Sequence, residues 1–175
     1  MICYEVNLTT ALDGEQVRIE TSEFLTLIGQ SFQSKQEIIN ALFELMFKGG
    51  YVKTSYLAAV LEREDKMPTG LQTLAYGIAI PHSDPEHVNC SAIAIALLDQ
   101  PVLFKNMADP TEDVPVQLVL MLAIAEKGSV TSVLARLAEA FLNPAIMNHL
   151  SAMKTPQQLS GALSDLIHGR LLLEI

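Results

Sequence analysis

The sequence predicts one α/β domain, a mixed β-sheet with helices packed against it. Three observations carry that reading. Helical and strand-like segments are interspersed along the chain, with no composition break or linker between them. Residues 116–125 are a long, mostly aliphatic run, as expected of a central strand buried on both faces. The 175 residues are half hydrophobic and only 6% aromatic, enough for one sizeable core of Leu, Ile, Val and Ala. No internal repeat is present.

Residues 1–22 form an N-terminal arm or hairpin. Tyr4, Val6 and Leu8, then Val17 and Ile19, alternate weakly around Asp13-Gly14, which fits two strands joined by a turn or a loosely docked arm. The first strong helix opens at Ser34, where Ser34 and Glu37 make a capping box. Ile38, Leu42, Leu45 and Met46 fall on one face, and Gly49-Gly50 ends the helix. A second helix runs from about Thr54 to about Glu64, followed by a loop over 65–70 rich in turn formers.

Strands follow at 78–80 and 92–98, with a short edge at 102–104 and then the central run. A third helix spans 129–142, with Val133, Leu134, Leu137 and Phe141 inward, and Asn143-Pro144 interrupts it. A short helix through His149 comes next. The last helix carries Thr155 as cap, Pro156 at its first position, Gln158 completing the box and Gly169 at the stop. Leu171-Leu172-Leu173 is apolar enough to dock as an edge strand.

Charge and composition narrow the function classes. A formal charge of −9 argues against nucleic acid as partner. Cys3 and Cys90 make no recognisable disulfide or zinc pattern, so a reduced, cytoplasmic setting is expected. The longest apolar run, 118–125, falls short of the roughly 20 residues of a membrane span. Met1-Ile2-Cys3-Tyr4-Glu5 lacks the layout of a signal peptide.

The chemistry points to Tyr76-Gly77-Ile78-Ala79-Ile80-Pro81-His82. Pro81 has no N–H for the next ladder bond, so the strand stops there and His82 sits at the sheet rim on a stiff backbone. A lone histidine after a strand is more often structural than catalytic, so the neighbourhood must decide. His149 and His168 lie in helical stretches and read as structural. His87 follows His82 across Ser83, Asp84, Pro85 and Glu86. That spacing is no metal motif, and the ligand set lacks members apart from Cys90, so no metal or other cofactor is expected. Ser83 lacks the glycine-flanked elbow of a nucleophilic serine.

At this point Leu74-Ala75-x-x-Ile78-Ala79-Ile80-Pro81-His82 resembles the active-site signature of a known family. It is that of the type 2 (fructose–mannitol) IIA components of the bacterial phosphoenolpyruvate-dependent sugar phosphotransferase system. The resemblance runs over about 23–161, so that residues 23–175 are expected to be the IIA domain. Arg63-Glu64, Pro68-Thr69-Gly70, His82 and His87 are most similar to the galactitol-specific branch.

The resemblance implies a phosphotransferase. His82 would accept a phosphoryl group from the histidine phosphocarrier protein and pass it to a cysteine of a cognate IIB. Association with the membrane would be indirect, through the IIC transporter, and the sugar itself never touches a IIA domain. It also implies Arg63 near the phosphoryl group and Thr69 in the pocket, with the hydroxyl of Thr69 and the N–H of Gly70 as neutral donors. Physical chemistry agrees, since phosphoryl transfer needs an in-line nucleophile and donors for the oxygens. Imidazole supplies the first through an unprotonated nitrogen and arginine the second through its planar fork.

The chain departs from the pattern at Ser83, where the family has a small residue or cysteine, and at Met67. It also lacks the histidine that mannitol-type members carry after the central strand, where Glu126-Lys127-Gly128-Ser129 stands instead; His87 is the candidate substitute. The alternative is a regulatory module of the same family, switched by phosphorylation. The length of the chain and the lack of a DNA-binding segment favour transport.

Overall fold

The computed structural model describes residues 7–9, 16–18, 24–126 and 129–167. Strands β1 (Asn7–Thr9) and β2 (Gln16–Arg18) pair antiparallel as a separate two-stranded sheet. The main sheet holds β3 (Leu25–Gln30), β4 (Gly70–Gln72), β5 (Gly77–Ala79), β6 (Ala92–Lys105) and β7 (Asp113–Ala123). Their order is β3-β6-β7-β5-β4. The outer pair β3–β6 and the inner pair β5–β7 are parallel, whereas β6–β7 and β4–β5 are antiparallel, so the sheet is mixed.

Helices cover both faces because the strands offer apolar residues on both. Ile93, Ile95 and Leu97 of β6, with Leu118, Leu120 and Leu122 of β7, pack under α3 (Ser129–Phe141), α4 (Pro144–Ser151) and α5 (Pro156–Ile167). The alternate residues Ala92, Ala94, Ala96, Val119, Met121 and Ala123 meet α1 (Lys35–Lys48) and α2 (Tyr56–Lys66). Small alanines on that side let the two helices lie close to the sheet. Each fully buried Leu or Ile contributes about 2 kcal/mol.

The two long strands are offset midway. Pairing jumps from Leu97↔Leu118 to Val102↔Val116, and on the other side from Gly77↔Val116 to Ile78↔Leu118. Against β5 the extra residue is Gln117, and Val114 and Val116 lie on the α1–α2 face, whereas against β6 the extra residues are 98–101 of β6 itself. The segment 102–104, expected as a separate edge strand, is instead the far half of β6 beyond this irregularity. Pro101 falls inside the shifted stretch, where no ladder donor is required.

Other differences are local. The stretch expected as a loop over 65–70 gives its first residues to α2 and its last to β4, a strand too short to show a period. Ser34 Oγ accepts from Glu37 N at 3.2 Å, but the Glu37 carboxylate reaches back to Gln33 N at 2.8 Å, one residue before the cap. The left-handed glycine that closes α1 is Gly50, at φ 75°. Phe43 joins the buried face of α1, while Leu45 is only partly buried. The capping box on α5 is complete: Gln158 N donates to Thr155 Oγ1, and Gln158 Oε1 accepts from Thr155 N. Cys3, His168, Gly169 and 171–173 lie outside the described residues.

Candidate functional site

His82 stands where β5 has ended but the chain still follows β7. Leu122 N donates to Pro81 O at 3.0 Å, and His82 bridges Leu122 in parallel register. Leu122 is also held by Tyr56 of α2, whose buried hydroxyl donates to Leu122 O at 2.6 Å. Burial pushes the Tyr56 phenol well above its usual range, so it stays a donor. The backbone beneath His82 is thus fixed by β7 and α2 together.

His82 as a residue is only 8% exposed. Its Nδ1 lies 2.9 Å from Ile80 O. A carbonyl only accepts, so Nδ1 carries the proton and Nε2 is left with a bare lone pair. Burial holds the His82 pKa below the ordinary histidine value, and the Arg63 cation acts in the same direction; the bond to Ile80 and the Asp84 carboxylate oppose them. The neutral, nucleophilic form is favoured.

Arg63, on the last turn of α2, is brought to this histidine. Its Nη1 lies 3.4 Å from Asp84 Oδ1, two residues after His82. That ion pair is long and its carboxylate 70% exposed, so it holds the guanidinium only weakly. Arg63 Nε is buried with no hydrogen-bond partner among the described residues, and so is Ser83 Oγ. Two unengaged polar atoms therefore flank the imidazole or the cation beside it.

Thr69 and His87 are engaged elsewhere. Thr69 Oγ1 donates to Glu64 Oε2 at 2.7 Å and accepts from Ile80 N at 3.1 Å, so its hydroxyl proton is already committed and does not stand free as an anion donor. Gly70 sits in β4 opposite Ala79. A Cβ there would fall 2.5 Å from Lys105 O, so glycine is needed for the approach of β4 to the end of β6. His87 closes a 3-10 turn (Pro85–His87), with Nδ1 2.9 Å from Ser55 Oγ and Nε2 3.5 Å from Glu86 Oε1. Its carbonyl accepts from Lys53 N at 2.9 Å. Nδ1 thereby ties the turn to Ser55 at the start of α2, while Nε2 lies near Glu86 of the turn itself.

Among the described residues, no three His, Cys, Asp or Glu side chains gather as a metal-ligand set. No helix among them is long and apolar enough to cross a membrane.

A family model described as "Phosphoenolpyruvate-dependent sugar phosphotransferase system, EIIA 2" matches residues 19–165. The chain belongs to this family. EIIA 2 proteins are phosphotransferases that work through a phosphohistidine. The chain is 33% identical over 109 residues to the transcriptional regulator ManR of Bacillus subtilis, covering 62% of this chain and 15% of the regulator. It is 33% identical over 96 residues to the galactitol-specific EIIA component of Escherichia coli K12, covering 55% of this chain and 63% of that protein. It therefore spans less than two thirds of these curated relatives.

Among solved structures, a putative PTS IIA (PtxA) from Streptococcus mutans superposes with TM-score 0.66 at 24% identity, over 81% of this chain and 88% of that one. The E. coli complex of enzyme IIAMTL with phosphorylated IIBMTL gives 0.64 at 24%, over 83% and 94%. These likenesses show that the EIIA 2 fold is shared.

Within this EIIA 2 fold the arrangement offers a neutral imidazole with one lone pair free, a cation weakly parked beside it and a rigid base. Sequence reasoning picked out His82 and Arg63 but passed over Asp84 and Tyr56 and treated Glu64 only as part of a motif. Asp84 carried a faint signal as an acid two residues from His82. Tyr56 and Glu64 act across elements, and no local pattern announces such partners.

Proposed function

We propose that this chain relays a phosphoryl group through His82 Nε2, from the histidine phosphocarrier protein to a cysteine of a cognate IIB. The observation that carries the reading is the 2.9 Å bond from Nδ1 to Ile80 O, which leaves Nε2 as the nucleophile. In the first step the Nε2 lone pair attacks phosphorus as the donor's N–P bond breaks. The proton stays on Nδ1, donated to the Ile80 carbonyl throughout, so the imidazole needs no base. In the second step the IIB thiolate attacks and the N–P bond to His82 breaks, restoring the lone pair.

Arg63 leaves its long contact with Asp84 and turns its fork to the phosphoryl oxygens. One arginine suits a relay, because a phosphoryl group gripped by several would leave slowly. The setting is cytoplasmic, with the membrane reached indirectly through the IIC transporter. The system served takes up a sugar or polyol of the galactitol kind, a reading supported by the relative named for that specificity.

A second reading, a regulatory module switched by phosphorylation, is favoured by the match to ManR. Incubation with phosphoenolpyruvate, the general enzyme and the phosphocarrier, followed by intact mass measurement, tests the shared step. One acid-labile phosphoryl group is expected on the wild type and none on His82→Ala. Onward transfer to a IIB cysteine then separates relay from regulator.

A further inference from the structure

We propose that Glu64 is a positioning residue for His82, acting through Thr69 and Ile80. This rests on the reading of His82 as the phosphoryl acceptor. Glu64 is 1% exposed, and its two oxygens accept from a single residue, Thr69: the backbone N at 3.1 Å and Oγ1 at 2.7 Å. A threonine hydroxyl alone can rotate its proton to suit either neighbour. With the carboxylate beside it, the proton has one place to go. The oxygen must then present a lone pair on its other side, where Ile80 N donates at 3.1 Å.

Ile80 is the residue that matters. It lies just beyond β5, so its N–H has no strand partner of its own and depends on Thr69. Its carbonyl is the group that accepts the hydrogen bond from Nδ1 of His82 at 2.9 Å. One residue is thus pinned at its N–H by the Glu64–Thr69 pair and aimed at its C=O toward the imidazole. A buried carboxylate is costly unless its oxygens are satisfied, and here both are used to fix one hydroxyl. When the pin is lost, the Ile80 carbonyl loosens and the imidazole can place its proton on Nε2. That tautomer has no lone pair at the reacting nitrogen.

Three variants test this with two measurements, nitrogen NMR of the His82 ring in the unphosphorylated protein and single-turnover transfer from the phosphorylated phosphocarrier. Glu64→Gln leaves one Thr69 donor without an acceptor whichever way the amide turns. Thr69→Val removes the hydroxyl at nearly constant volume, and Thr69→Ser keeps it. Glu64→Gln and Thr69→Val should both raise the share of Nε2–H tautomer and slow transfer roughly tenfold, as loss of an outer partner to a functional histidine does. Thr69→Ser should match the wild type in both. If Glu64→Gln does not fold, Thr69→Val and its serine rescue carry the test. A wild-type tautomer signal in folded Thr69→Val, whether or not the rate falls, overturns the proposal. The ring signal requires no transfer, so it stays informative if His82 proves not to be the acceptor.

Discussion

In the proposed relay Arg63 meets two anions in turn, Asp84 at rest and the phosphoryl oxygens during transfer, and the difference between these contacts sets the expected effect of replacing it. At rest the guanidinium lies 3.4 Å from a carboxylate that is 70% exposed, a pair worth less than about 1 kcal/mol. Leaving it costs little. Around the transferring group the fork would, on this proposal, make two charge-assisted bonds in a half-buried setting, each worth about 1.5–3 kcal/mol. Lysine at this position keeps the charge but offers a single point contact. Arg63→Lys should therefore lose about one such bond, a slowing of roughly ten- to a hundredfold. The assay is single-turnover transfer from the phosphorylated phosphocarrier by rapid quench, with thermal unfolding as the control for folding. A rate within error of wild type would reduce Arg63 to a surface charge and refute the reasoning.

Three further outcomes follow from the same geometry. Because burial depresses the His82 pKa, its neutral form contributes stability that is present above the unfolded histidine value of roughly 6.5 and is lost as pH falls through the lower folded value. Urea unfolding of wild type and His82→Gln from pH 5 to 8 should differ in slope only on the acid side, and parallel curves would contradict the buried neutral ring. His87→Ala removes the bond to Ser55 and should cost about 1 kcal/mol of stability while leaving single-turnover transfer within about twofold, since its Nδ1 is engaged by Ser55; a large loss of rate at pH 7 would return His87 to the pocket. Tyr56→Phe strands the Leu122 carbonyl and should cost about 1–3 kcal/mol in urea unfolding, with unchanged stability arguing that Leu122 is held by β5 and β6 alone.

What the sequence made legible follows a physical division. Elements with a period or a punctuating residue were readable: the aliphatic run of β7, the Thr155–Gln158 box on α5, the arrest of the strand at Pro81. The place of His82 at the strand end was readable too, although pairing with β7 runs past Pro81 to the His82↔Leu122 bridge. The offset at Gln117 was not, because a bulge is a matter of register between strands and leaves an apolar run apolar. β4 was hidden as three residues opening on Gly70, where pairing with β5 outweighs the turn chemistry of Pro68 to Gly70. At the site, the family pattern placed Thr69 in the pocket but not the direction of its hydroxyl. That direction depends on Glu64, a charged residue in a helix whose burial becomes visible only once α2 meets β4 and β5.

The identity of the phosphorylated atom tests the central claim most directly. Protein with nitrogen-15 in its histidines, phosphorylated through the phosphocarrier and held at alkaline pH, should show phosphorus coupled to Nε2 of His82 while Nδ1 keeps its proton and its bond to the Ile80 carbonyl. A phosphoryl group on Nδ1, or on any other residue, would contradict it.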